Sequence, residues 1–187
     1  MEEIKKILNN TRDLMDKSAE FTYNQLGKVR TGRASASLVE NVKASYYGAP
    51  TAISQMAGIS VPDARTIVIQ PWDKSNLKDI EKAILEADLG FNPQNDGNII
   101  RIPVPPLTEE RRKEFVKLSK KLAEEGKIAI RNIRRDQNDA VKKLEKDKKI
   151  SEDERKKAED DIQKITDELI KKVEADLAQK EKELMQD

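Results

Sequence analysis

Pro103-Val104-Pro105-Pro106-Leu107-Thr108-Glu109-Glu110-Arg111-Arg112 divides the chain. Pro103, Pro105 and Pro106 stop any strand running into them, because proline offers no N–H to a ladder. Thr108 then stands where a helix N-cap belongs. Glu109 and Glu110 fall in the first turn, where the helix dipole favours acids. Strands and turns are expected before this stretch, and long helices after it.

Downstream, Leu118, Leu122, Ala129, Ile133, Ala140 and Leu144 alternate at spacings of four and seven, which predicts the core stripe of a helix. Ser151 and Glu154 form a capping-box signature. They open a last helix with Ile162, Ile165, Leu169, Val173, Leu177 and Leu184 on one face. Upstream, all seven Pro and five of the seven Gly lie between Thr31 and Pro106. Short β-rich runs occur at Val42 to Tyr47, Ile59 to Val61, Thr66 to Gln70 and Ile99 to Val104. Gly48-Ala49-Pro50 and Asn95-Asp96-Gly97 read as turns. Ile80, Ala83, Ile84 and Ala87 place a helix between the last two strands. The segment is a small α/β module of mixed topology.

Residues 2–30 read as one amphipathic helix with Ile4, Leu8, Thr11, Met15, Thr22, Leu26 and Val29 near one face. A hairpin of the two C-terminal helices buries its stripes poorly. The N-terminal helix has the length to close that core. The reading is an α+β protein: a three-helix bundle from residues 1–30 and 107–187, with a β/α/β module, residues 31–106, inserted between them.

Composition narrows the function. Of the 187 residues, 36% are hydrophobic, 38% charged and 4% aromatic, which suits long charged helices. The absence of Cys excludes disulfides and thiolate metal sites, and the absence of His removes the commonest general base and metal ligand. No phosphate-cradling glycine loop occurs. Neighbouring acids such as Asp160-Asp161 point apart on a helix, so no metal site is expected. No catalytic residue and no cofactor are expected either. The acidic start, Met1-Glu2-Glu3-Ile4-Lys5-Lys6, resembles neither a signal nor a transit peptide, and no apolar run approaches the roughly 18 residues that span a bilayer. A cytoplasmic protein without membrane contact is expected.

The net charge of +1 conceals a local imbalance. Residues 111–135 carry ten Lys or Arg against three Glu, a net of +7. Residues 136–187 carry thirteen basic against seventeen acidic residues, a net of −4. Lys113, Lys120, Lys127 and Arg134 lie seven apart, with Lys117 and Arg131 between them and Glu124 as the acidic break. The ribbon is expected opposite Leu118 and Leu122. Arg131 and Arg134 are one turn apart, with Arg135 beside them. Guanidinium groups bind phosphate in bidentate fashion and stack on bases, so such a ribbon suits an RNA groove or loop. On charge alone, a solvated helix face explains it better. Arg30-Thr31-Gly32-Arg33 marks the junction, where Gly32 can turn the chain with a positive φ. Tyr46 and Trp72 are expected to pack inside the module rather than to stack on bases.

Several segments together are specific. Arg30-Thr31-Gly32-Arg33-Ala34-Ser35, Tyr46-Tyr47-Gly48, the 103–112 stretch and Arg131-Asn132-Ile133-Arg134-Arg135-Asp136 resemble the ribosome recycling factor family. Ile150-Ser151-Glu152-Asp153 and Lys182-Glu183-Leu184-Met185 fit it too, in order from end to end. The resemblance implies an L-shaped molecule with a hinge at Thr31, Gly32 and Arg33 and at Pro103, Val104, Pro105 and Pro106. It implies a non-enzymatic, monomeric factor that binds large-subunit ribosomal RNA after translation termination. With elongation factor G and GTP, such a factor separates the subunits and releases mRNA and tRNA. By position, Arg30, Arg131 and Arg134 match the family's RNA-contacting arginines. Arg135 shares the motif, and Lys127 belongs to the same ribbon. Arg30 is expected near the ribbon once the N-terminal helix closes the bundle. Two positions depart from the family pattern: Ala36 replaces a common Pro, and Gly126 replaces a usual Ala. The rival reading is a three-helix coiled-coil adaptor whose charges only solvate it.

Overall fold

The computed structural model describes residues 2–186. The fold is α+β, and the chain divides into two units: Gly32–Thr108, and the residues on either side of it.

The flanking unit is the three-helix bundle. It comprises α1 (Glu2–Gly27), with α3 (Glu109–Lys146) and α4 (Glu152–Met185) numbered after the module's own helix. Each helix packs on the other two. Met15 and Ala19 of α1, Ala123 and Ile130 of α3, and Leu169 and Val173 of α4 form the central core. Val141, Ile150, Ala158 and Ile162, with Ile4, Ile7 and Leu8 against them, form a second cluster nearer the α3–α4 turn. In that turn Lys148 takes a positive φ of 58°, and Lys149 N–H donates to Leu144 O at 2.9 Å. Ser151 then caps α4: Glu154 N–H donates to Ser151 Oγ at 3.2 Å, and Ser151 N–H to Glu154 Oε2 at 2.8 Å. The buried threonine hydroxyls are satisfied within their own helices, with Thr11 donating to Ile7 O, Thr22 to Ser18 O and Thr166 to Ile162 O.

The expected stripe on α3 is displaced by one residue. Leu118 is 41% exposed, while Ser119, Ala123, Gly126, Ile130 and Val141 are buried. The reason is packing distance. Small residues at 119, 123 and 126 admit the neighbouring helices closely, so the larger Leu118 and Leu122 flank the contact. α1 is also shorter than expected, ending at Gly27.

The module begins with a short 3₁₀ turn, Ala36–Leu38, and the hairpin β1 (Lys43–Tyr46) with β2 (Ala49–Ala52). Tyr47 and Gly48 carry positive φ of 48° and 81°, the mirror-image two-residue turn that fits strand twist. Ala49-Pro50 is thus strand rather than turn, and Pro50 is tolerated because the ribbon has only two strands. The larger sheet runs β3 (Ala57–Asp63), β4 (Thr66–Pro71), β6 (Ile100–Pro103), β5 (Gln94–Asn95), with α2 (Leu77–Glu86) between β4 and β5 in sequence. Every strand pair is antiparallel, which corrects the mixed topology expected from the sequence. Ile67 faces Ile102 and Ile69 faces Ile100 across the β4–β6 ladder, and all four are fully buried. They share a core with Leu77, Ile80, Ala83 and Ile84 of α2. The period of two on the strands meets the period of three and four on the helix.

Candidate nucleic-acid interface

The basic row does not lie opposite the core of α3. It borders α4. Lys120 pairs with Glu181 at 3.7 Å, Lys127 with Glu174 at 3.8 Å, and Arg134 Nη1 donates to Gln163 Oε1 at 3.0 Å. The cause is the one-residue displacement of the core stripe, which turns positions 120, 127 and 134 toward α4.

Lys127 is the most committed of these side chains. It is only 17% exposed, and Glu124 takes its ammonium at 2.9 Å. Glu124 also accepts from Arg131 Nη1 at 3.2 Å. Hydrogen bonds from Lys127 and Arg131 hold the Glu124 carboxyl below its ordinary range. Glu124 therefore stays ionised and fixes the Arg131 guanidinium, and a phosphate reaching Arg131 must compete with it. Arg134 is half-buried and held by a neutral amide, so its charge is uncompensated by that contact. Arg135 is exposed and in no ion pair among the described residues. The three arginines thus differ: one paired with a carboxylate, one oriented by an amide, one free to extend.

Arg30 is exposed, three residues beyond the end of α1. The backbone before it is tied down by a residue the sequence reading passed over. Lys180 Nζ donates to Val29 O at 3.3 Å and pairs with Glu183 at 3.5 Å, although Lys180 is buried. An ammonium meeting a carbonyl at the C-terminal end of a helix is favourable twice, as donor and as charge. The signal was present in the sequence: Lys180 falls on the apolar row of Leu177 and Leu184.

The bundle does not bring Arg30 beside the other arginines. α1 and α3 run antiparallel, with Thr22 against Gly126. Gly27, where α1 ends, lies five residues past that contact and Arg131 five residues the other way, so at 1.5 Å per residue the end of α1 and Arg131 are about 15 Å apart along the bundle, with Arg30 beyond that end. The arrangement offers two separate cationic points rather than one cluster.

Among the described residues, no group of carboxylates is placed to hold a metal ion, and no helix is long and apolar enough to cross a membrane.

The family model for ribosome recycling factor matches residues 22–185. This chain belongs to the ribosome recycling factor family. A ribosome-recycling factor from Geobacillus sp. (strain WCH70) is 55% identical over 183 residues, covering 98% of this chain and 99% of that protein. One from Oleidesulfovibrio alaskensis is 54% identical over 180 residues, covering 96% of this chain and 98% of its own length. The solution structure of a ribosome recycling factor superposes with a TM-score of 0.80 at 43% identity, covering 99% of this chain and 98% of that one. A model of the T. thermophilus ribosome recycling factor, with E. coli elongation factor G on the E. coli post-termination complex, gives 0.66 at 49% identity, covering 98% and 99%. The family is one of translation factors. Its match runs through the bundle, both junctions and the module, as the motifs quoted from the sequence require.

Proposed function

We propose that this protein binds the post-termination ribosome in the cytoplasm as a monomer and, with elongation factor G and GTP, separates the subunits and releases mRNA and tRNA. The observation that carries this reading is the family match across 98% of the chain at 55% identity. A neighbour in fold has been placed on the post-termination complex together with elongation factor G, which supports the same partners here. The protein performs no bond chemistry of its own in this reading; its work is binding and movement.

The bundle, 1–30 with 107–187, is the part that grips large-subunit ribosomal RNA. Arg131, Arg134 and Arg135 form one contact and Arg30 a second. Lys127 adds charge to the row and orients Glu124. Thr31, Gly32 and Arg33, together with Pro103, Val104, Pro105 and Pro106, form the hinge between bundle and module.

The test is binding of the Arg131→Ala, Arg134→Ala double variant to large ribosomal subunits across a salt series. The expected result is weaker binding, with the slope of log affinity against log salt reduced by about one per lost phosphate contact. Unchanged affinity and slope would show that these arginines are not the anchor. A subunit-splitting assay with and without elongation factor G and GTP, run on the unaltered protein, tests the wider reading. Splitting that ignores the added factor contradicts it.

A further inference from the structure

Trp72 is 73% exposed and Tyr46 37%, so neither packs inside the module as its size suggests, and isoleucines fill that core instead. The bundle holds the reverse case. Lys180 is buried on α4, in line with Leu177 and Leu184, where an apolar side chain would pack. A buried lysine says more than an exposed ring, because a lysine is almost never fully buried without a partner.

The partner is the end of another helix. α1 stops without the usual devices: Gly27 takes no positive φ, and no basic residue stands in the last turn. Lys28 N–H donates to Gln25 O at 3.2 Å and Val29 N–H to Leu26 O at 3.1 Å, so the final turn is tightened to a three-residue spacing. Those bonds satisfy carbonyls inside the helix. Val29 O lies beyond them, and Lys180 Nζ donates to it at 3.3 Å. Glu183 stands 3.5 Å from the same ammonium, so the charge is paired. The Val29 side chain is buried too, which holds this residue at both its side chain and its carbonyl.

Stability alone does not call for a lysine here. Taking an ammonium out of water costs much of what its contacts return, and well-packed apolar replacements often equal or exceed a buried pair. What the charge adds is direction. The Val29 oxygen belongs to the peptide group that also contains the nitrogen and Cα of Arg30, and those atoms are coplanar. Fixing the oxygen therefore fixes the plane from which Arg30 leaves. Arg30 itself is exposed.

We propose that Lys180 is a positioning residue for ribosomal RNA binding: it presets the backbone at Val29 and Arg30, so that the Arg30 guanidinium meets the RNA without further ordering of the chain. The proposal rests on the reading that Arg30 contacts ribosomal RNA. It gives a role in binding to a side chain that, being buried, is not itself placed to touch RNA. Ordering a segment at the moment of binding weakens affinity, and a segment ordered beforehand avoids that loss.

Lys180→Met keeps an unbranched side chain of similar length and removes the donor. Its binding to large ribosomal subunits is measured at fixed ionic strength in the parent, Arg30→Ala and Arg131→Ala backgrounds, with a thermal melt to show that each protein is folded. Binding is expected to weaken by about fivefold. The loss should be the same in the Arg131→Ala background. It should vanish in the Arg30→Ala background, where no guanidinium is left to position. Binding equal to the parent's overturns the proposal. So does a loss that persists with Arg30→Ala, which is the plain effect of removing one positive charge. A second measurement needs no variant. Nitrogen-15 relaxation of the unaltered full chain should give the Arg30 amide an order parameter of about 0.85, as for rigid backbone, and a value below about 0.6 overturns the proposal. If Arg30→Ala alone binds like the parent, the RNA contact of Arg30 falls and the positioning role falls with it. If Arg30→Ala weakens binding and Lys180→Met does not, the contact stands and only the positioning role is lost.

Discussion

At Gly126 an added Cβ would strike Thr22, meeting its Oγ1, then Cγ2 at 2.8 Å and Cβ at 3.0 Å. Thr22 is buried and its hydroxyl already donates to Ser18 O at 3.0 Å, so it cannot swing aside without losing that bond. Two effects oppose each other. Glycine inside a helix costs about 1 kcal/mol against alanine. Overpacking a tight interface costs about 1–3 kcal/mol. The β-branched, hydrogen-bonded neighbour makes the second the larger. Gly126→Ala is therefore expected to lower unfolding free energy by about 1 kcal/mol net in a urea titration. Combined with Thr22→Ala, it should cost less than the sum of the two single changes. A Gly126→Ala protein as stable as the parent would show that the helices separate at little cost. The sequence presented this glycine only as a departure from a family pattern. Its reason lies on another helix, where no local reading reaches.

Elements were legible where large apolar residues mark their inner faces. On α1, Thr11, Met15, Thr22 and Leu26 are buried as their spacing predicts, and so are Ile162, Leu169, Val173 and Leu184 on α4. On α3 the inner row holds Ser119 and Gly126, which no hydrophobic count selects, and the stripe was read one residue away. The module's aromatics failed for the opposite reason: size suggested core, but four paired isoleucines had already filled it. For the candidate site, the arginines were named by motif, whereas Lys180 and Glu124, which hold their surroundings, became evident only through contacts. The α1–α4 seam also holds a group that resists ionisation. Burial pushes the Asp176 carboxyl up, with Lys172 countering in part, and Asp176 Oδ2 is buried without a hydrogen-bond partner. Asp16, Glu20, Tyr23 and Lys172 share its groove, and Lys180 and Glu183 lie on its other side. Because the folded state binds this proton more tightly than the unfolded chain, stability falls as pH rises from the ordinary aspartate range through the raised value. Above that window the loss is complete. Asp176→Asn is accordingly expected to raise Tm at pH 7, with the advantage disappearing near pH 3. An equal difference at both pH values would assign the effect to shape rather than charge.

The chain passes between its two units twice, next to Gly32 and next to Thr108. On the module side both passages are strapped down. Ala34 N–H donates to Ala64 O and Val104 N–H to Arg65 O, each at 2.8 Å. Arg65 Nη1 donates to Gly32 O at 2.8 Å, and Gly32, at φ 75°, leaves no room for a Cβ against Leu107. One turn, Ala64-Arg65, thus holds both linkers to the module. Of the residues in the proposed hinge, Gly32 and Val104 are therefore held to the module, and the bending that proposal needs would fall to Thr31 and to Pro105 and Pro106. The protein has no Cys, so one cysteine introduced on each unit gives the only two thiols for a reducible cross-link. If recycling depends on the module swinging while the bundle holds RNA, the locked protein should pellet with ribosomes at near-normal affinity. It should fail to split subunits with elongation factor G and GTP, and reduction should restore splitting. Normal recycling by the locked form would remove hinge motion from the mechanism. Loss of pelleting in the locked form would mean instead that the bundle needs the module's freedom in order to bind.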